Sequence, residues 1–308
     1  MDKNQRNAYL FALGAVTAWS TVSTAFKISL RFLTPLGLLL FSSLAATMFL
    51  LGFNLIKHKR KIIVRITQGF QLSIATGLLN PLLYYLMLFE AYRRLPAQEA
   101  QVLNYTWAIV LSLLSVLILR ERFRLKDLGA LGLSFLGVII ISTQGRILNM
   151  SFDDPFGSAL AVSTSIVWAL YWILNMRDRR PAELKLLTGF LVGTAGTFVY
   201  ALVSHKLHPD GLFTPKGQIG WGLAGAAYVG VFEMGLTFIL WQKALERSSN
   251  TASVANLIFL TPFISLVFIA LVLKEPIRAA TLIGLLLIVC SNVWQKSKRE
   301  RTDTAATN

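Results

Sequence analysis

The 308 residues are 55% hydrophobic and only 15% charged, with a mean hydropathy of +0.59, which excludes an ordinary soluble domain. A net charge of +15 raises nucleic acid as a partner, but the cations alternate from loop to loop as the positive-inside bias requires, so no nucleic acid is expected. Cys290 is the one cysteine and lies in an apolar run, which excludes disulfides and a thiolate metal cluster.

Apolar runs suited to the roughly 30 Å hydrocarbon layer lie at about 9–28, 35–56, 70–91, 97–119, 127–143, 157–176, 184–204, 219–242, 251–273 and 278–295. The connections between them are short. The expected fold is therefore all-α, a polytopic membrane protein of ten transmembrane helices. Lys3 and Arg6, residues 57–65, 120–126 and 177–185, Lys243 and Arg247, and Lys296–Arg301 gather most of the cations on one side. Both termini are expected in the cytoplasm, in a multi-pass protein of the cytoplasmic (inner) membrane. The first run has no small-residue cleavage site behind it and reads as an uncleaved helix.

In span 1, Thr17, Thr21 and Thr24 recur at helical spacing beside Trp19. Such hydroxyls either pack against neighbouring helices or line a polar cavity. Span 2 opens on Pro35 and is otherwise apolar. Span 3 carries Asn80-Pro81 near its middle, where proline removes a backbone hydrogen bond and kinks the helix. Ser73, Thr76, Asn80 and Tyr84 share a face there that could be wet, and Glu90 stands ready to pair with Arg93 or Arg94. Span 4 holds Gln101, Asn104 and Trp107, whereas span 5 offers Gly129, Gly132 and Gly137 for close packing.

Span 6 is the most aromatic, with Trp168, Tyr171 and Trp172 beside Thr164 and Asn175. Span 7 is small and apolar around Gly189, Gly193 and Gly196. His205 and His208, in the following loop, lack the acidic or cysteine company that a metal site needs. In span 8, Glu233 lies 14 residues past Ile219, roughly 21 Å down a helix. A carboxylate at that depth must be protonated, paired or wet. Gly222, Ala226, Val229, Thr237 and Leu240 are expected on its face. Span 9 contributes Asn256 and Thr261-Pro262, and span 10 ends in the basic tail.

The second half repeats the plan of the first. Ala91 and Arg94 answer to Ala244 and Arg247 at a spacing of 153, and Glu233 answers to Asn80 at the same spacing. Arg120-Glu121 answers to Lys274-Glu275 at 154. Five spans per half make the repeat inverted, an arrangement that encloses a central site open to each side in turn. The repeats are placed at 1–148 and 149–297, followed by a disordered basic tail at 298–308.

With AYRRLP at Ala91–Pro96, LRER at Leu119–Arg122, KALER at Lys243–Arg247 and LKEP at Leu273–Pro276, the chain resembles the drug/metabolite transporter superfamily, in particular its EamA-type permeases. The resemblance covers essentially the whole chain and implies export of amino acids or other small metabolites. The family's proline in span 4 is replaced by Ala108-Ile109, so this span is expected to be less kinked. The candidate substrate-binding residues are Trp19, Thr21, Asn80, Tyr84, Asn104, Trp107, Trp168, Tyr171, Glu233, Thr237 and Asn256. Glu233 is also the proton-coupling candidate, and aromatic lining suits an aromatic or amphipathic solute. No cofactor, no metal and no enzymatic chemistry are expected, because histidines stay outside the spans and Glu233 has no second deep carboxylate. A lipid-handling or scaffold protein, or a nucleotide-sugar-type carrier, is the competing expectation.

Overall fold

The computed structural model describes residues 3–58, 69–119, 125–146, 153–207, 211–214, 218–248, 254 and 256–306. The cations at 59–65 and 120–124, His208 and the repeat boundary at 148/149 lie outside the described residues.

Among the described residues, ten helical spans account for the apolar runs. Span 1 is Lys3–Ser29 and span 2 is Pro35–His58. Span 3 is Phe70–Arg94, and span 4 is Ala97–Asn104 followed by Trp107–Leu119. Span 5 is Leu125–Ser142, span 6 Pro155–Arg177 and span 7 Ala182–Leu207. Span 8 is Ile219–Arg247, span 9 Asn256–Leu273 and span 10 Ala279–Ala306. Seven of these helices, spans 1, 2, 3, 6, 7, 8 and 9, are long and apolar enough to cross a membrane by themselves. Spans 5 and 10 contain shorter apolar helices, Leu128–Ser142 and Ala279–Trp294. Among the described residues the only β-pairing is an isolated bridge from Leu33 to Phe213.

The helix of span 10 runs on past its apolar part to Ala306. Lys, Arg and Glu, which fill Lys296–Arg301, are good helix formers that extend a helix already nucleated by the apolar part.

Helix packing exchanges partners between the halves. Span 1 packs against spans 8 and 9, and span 6 packs against spans 3 and 4. Span 2 meets span 8, span 7 meets span 3, and span 5 meets span 10. Each of these contacts has its counterpart with the repeats interchanged, as expected for two inverted five-helix repeats.

Glycines make the closest of these contacts possible. A Cβ on Gly77 would fall 2.4 Å from the Gly189 carbonyl oxygen, and one on Gly193 would fall 2.4 Å from Pro81 Cδ. In the mirrored pair of spans, a Cβ on Gly230 would fall 2.3 Å from the Ser42 carbonyl oxygen. Small residues let backbones approach where lipid supplies no hydrophobic drive.

Spans 3, 8 and 9 each contain a π-helical stretch: Leu78–Leu83, Val229–Leu236 and Ile269–Leu273. In span 3 the stretch surrounds Pro81, with Asn80 outside helical dihedrals. In span 8 no proline is present, and the wider turn shifts the register after Glu233 by a residue.

Span 4 is interrupted at Tyr105-Thr106, although no proline stands there. The break falls at Tyr105-Thr106, ahead of Ala108-Ile109 where the proline is replaced. Thr106 spends its hydroxyl on the Leu103 carbonyl (2.8 Å) and on Ser165 of span 6 (2.7 Å), offering the backbone an alternative to helix.

With ten crossings both chain ends share one face, called here the terminal face. On it, Lys57 pairs with Glu183 at 2.7 Å, and Arg180 bridges Asp178 (2.6 Å) and Ser73 (2.8 Å). On the opposite face Arg94 reaches Asp154 at 3.4 Å, while Glu99 binds Arg278. There too the Glu275 Oε1 atom accepts from the Ala97 N–H at 3.2 Å. Asp154 also caps span 6, accepting from Gly157 N at 2.8 Å, with Pro155 in the first turn.

Candidate functional site

The seam between the halves is lined by rings. Tyr84 lies against Trp168 with centroids 4.7 Å apart, and Trp168 lies 5.4 Å from Tyr171. Tyr85 meets Tyr84 edge to face at 4.8 Å. On the other side Phe238 stands 6.0 Å from Trp168 and 5.6 Å from Trp19, which also meets Trp241 at 5.6 Å. Spans 1, 3, 6 and 8 thus contribute to one aromatic wall.

Three polar groups lie along it. At one end the Tyr85 hydroxyl donates to Glu233 Oε1 at 3.0 Å, and Trp19 interacts with the same carboxylate. Glu233 Oε2 is buried without a hydrogen bond. Asn80, buried, borders Tyr171, and neither atom of its amide has a partner in good hydrogen-bonding geometry. Buried polar atoms without partners are costly and mark places where a ligand or water completes the bonding. Midway, Tyr84 donates to Asn104 Oδ1 at 3.3 Å, and Asn104 Nδ2 donates to Thr164 at 2.7 Å.

Of the candidate residues, the structure brings Trp19, Asn80, Tyr84, Asn104, Trp168, Tyr171 and Glu233 together. Thr21 instead donates to Ala18 O at 2.7 Å and joins Tyr228 at 2.6 Å, tying span 1 to span 8. Thr237 donates to the Phe232 carbonyl five residues back, so its hydroxyl serves the π-helical turn. Trp107 is half-buried at the start of the second half of span 4, outside the ring contacts described above. Asn256 is exposed at the head of a 3₁₀ turn, because the helical part of span 9 begins only at Thr261.

The expected wet face of span 3 is also corrected. Ser73 donates to Thr188 at 2.9 Å and Thr76 to Leu72 O at 3.0 Å, both buried against span 7. Tyr85 was missed from sequence, and so was Phe238. The signal for Tyr85 was its place beside Tyr84, immediately after a helix break that no regular 3.6-residue wheel can extrapolate across.

The EamA-like transporter family matches the chain twice, over residues 6–143 and 155–294. The chain belongs to this family. Among curated relatives, an uncharacterized transporter of Archaeoglobus fulgidus is 26% identical over 91% of this chain and 94% of its own length. An aromatic amino acid exporter, YddG, of Ancylobacter novellus is 22% identical over 53% of this chain and 55% of its own. A solved crystal structure superposes with a TM-score of 0.64 at 19% identity, covering 96% of this chain and 98% of that one, a likeness of fold. Membership makes this a multi-pass transport protein of the EamA-like fold, with a small-molecule solute and membrane lipid as its surroundings.

Proposed function

We propose that this protein is a secondary transporter that exports a small, amino-acid-like aromatic metabolite across the cytoplasmic membrane by alternating access, with the terminal face in the cytoplasm. The observation that carries the reading is the aromatic wall at the seam, with Glu233 at one end and the unpartnered Asn80 bordering its other rings. A planar solute gains ring contacts along that wall, and its ammonium group gains the free Glu233 oxygen.

The two sets of ion pairs support the alternation. Lys57–Glu183 and Arg180–Asp178 hold the terminal face, while Glu99–Arg278 and Arg94–Asp154 hold the opposite one. A carrier opens one set while keeping the other. The name of the Ancylobacter relative points to the same solute class.

A second reading of Glu233, proton coupling, is favoured by the same unbonded Oε2 atom, which is free to hold a proton when the solute leaves. Purified protein in proteoliposomes tests both. Counterflow of labelled aromatic metabolites is expected, and lipid scrambling without solute flux would replace the carrier reading by a lipid-handling one. A Glu233→Gln protein with full transport and unchanged pH dependence would remove the coupling role.

A further inference from the structure

Among the described residues the seam has a carboxylate but no cation within reach of it. Lys27 lies eight residues beyond Trp19 on span 1, roughly 12 Å along the helix, and its charge faces Glu275 and Glu99 on the opposite face. Lys243 lies ten residues beyond Glu233, roughly 15 Å away. It sits over the Phe11 and Phe53 rings at 5.9 and 5.7 Å. The remaining surroundings of Glu233 are Tyr85, whose proton is already spent on Oε1, Trp19, and the ring wall.

The faces of those rings are negative and attract cations. A solute's ammonium group therefore finds both a counter-ion and ring faces. A carboxylate on the neighbouring carbon of the same solute would stand beside Glu233 in a site of low dielectric, with no Lys or Arg among the described residues to compensate it. Asn104, midway, is neutral and already bonds Tyr84 and Thr164, and the polar group at the far end cannot serve it either. Asn80 borders Tyr171, separated from the Glu233 end by the run of rings Tyr85, Tyr84 and Trp168. An α-amino acid, whose two charges share one carbon, cannot span that strip.

Resting on the seam as the solute site, we infer that Glu233 and the ring wall select by charge: the preferred solute is a monocationic aromatic amine that lacks a carboxylate beside its ammonium group. The amino-acid-like character proposed above is thereby narrowed to the ring and the amino group.

Three probes with one ring system separate the possibilities in proteoliposomes of the full-length protein: tryptamine, tryptophan and indole-3-propionate. Tryptamine is expected to be transported with at least a 30-fold higher kcat/KM than tryptophan, with indole-3-propionate slower still. Glu233→Gln is expected to shrink the tryptamine-to-tryptophan ratio to within about threefold. The wild-type ratio needs no variant, so the test survives if Glu233→Gln fails to fold. Equal transport of tryptamine and tryptophan overturns the charge selection while leaving the carrier reading intact. Failure of all three indoles, in a preparation whose fold is verified by circular dichroism, overturns the seam as an aromatic site and this inference with it.

Discussion

Tyr85 and Glu233 belong to opposite repeats, yet the tyrosine hydroxyl donates to the carboxylate at 3.0 Å, a bond that links spans 3 and 8. The two helices that bear them are the ones with a π-helical stretch at mid-depth. Any rearrangement that parts the repeats on this side must break or rotate that bond, so the pair joins the site to the moving parts.

Tyr85→Phe removes this donor and keeps the ring. A hydrogen bond to a charged group is worth about 1.5–3 kcal/mol. The variant is therefore expected to lose about 10-fold or more in transport kcat/KM, with folding retained, since Tyr85 keeps its contacts to Tyr84 and Phe89. Counterflow rates beside thermal unfolding in detergent check it. An unchanged rate would place Glu233 outside the working site.

The glycines on the swapped contacts carry a sharper structural prediction. Gly77→Ala and Gly230→Ala each press a methyl group into a backbone carbonyl that cannot turn aside. Overpacking of this sort costs about 1–3 kcal/mol, enough to lower the thermal midpoint by several degrees. Gly52→Ala and Gly132→Ala meet nothing within 4 Å and are expected to leave the midpoint level or slightly raised. Equal effects at all four positions would refute the exchanged packing.

Much of this arrangement was legible beforehand because bilayer thickness and helix rise fix span number. The kink at Asn80-Pro81 and the depth of Glu233 were likewise readable, since each is a local departure from an apolar background. The glycines of span 5 point to close packing, which span 10 supplies at Gly129 and Gly137 but not at Gly132. What could not be read was anything downstream of a change in helical period. Thr237 was placed on the face of Glu233 by a 3.6-residue wheel, but a π-helical turn intervenes and its hydroxyl bonds Phe232 instead. Asn256 follows Asn104 at close to the repeat spacing, yet it is exposed in a 3₁₀ turn, whereas Asn104 binds Tyr84 and Thr164. Repeat symmetry holds for the helices and lapses for these side chains.

At the turn between spans 6 and 7, burial pushes the Asp178 carboxyl upward, but hydrogen bonds from the Arg180 side chain and backbone outweigh it and hold the group below its ordinary 3.8. A carboxylate held low stabilises the fold fully above that ordinary value and loses the contribution as pH falls through its lower folded value. Because Arg180 also bonds Ser73 of span 3, the loss should loosen the terminal face. Thermal midpoints measured from pH 6 downward are expected to fall more steeply below about pH 4 for the wild type than for Asp178→Asn. Parallel curves would show that the pair contributes nothing there.

The orientation of the whole bundle rests on cations, and it can be read without any transport assay. In a Cys290→Ala background, single cysteines replace Asn149, in the connection between the halves and outside the described residues, and Lys296, just past the apolar part of span 10. Five spans separate the two positions, so an impermeant maleimide applied to intact cells should reach one and spare the other. The positive-inside bias decides which: the cysteine at 149 is expected to label from outside, and the one at 296 only after permeabilisation. Labelling of both from the same side requires an even number of crossings between them. Two five-span halves cannot then be inverted relative to one another, and the exchange of partners between spans 2 and 8 and between spans 7 and 3 loses its symmetry explanation.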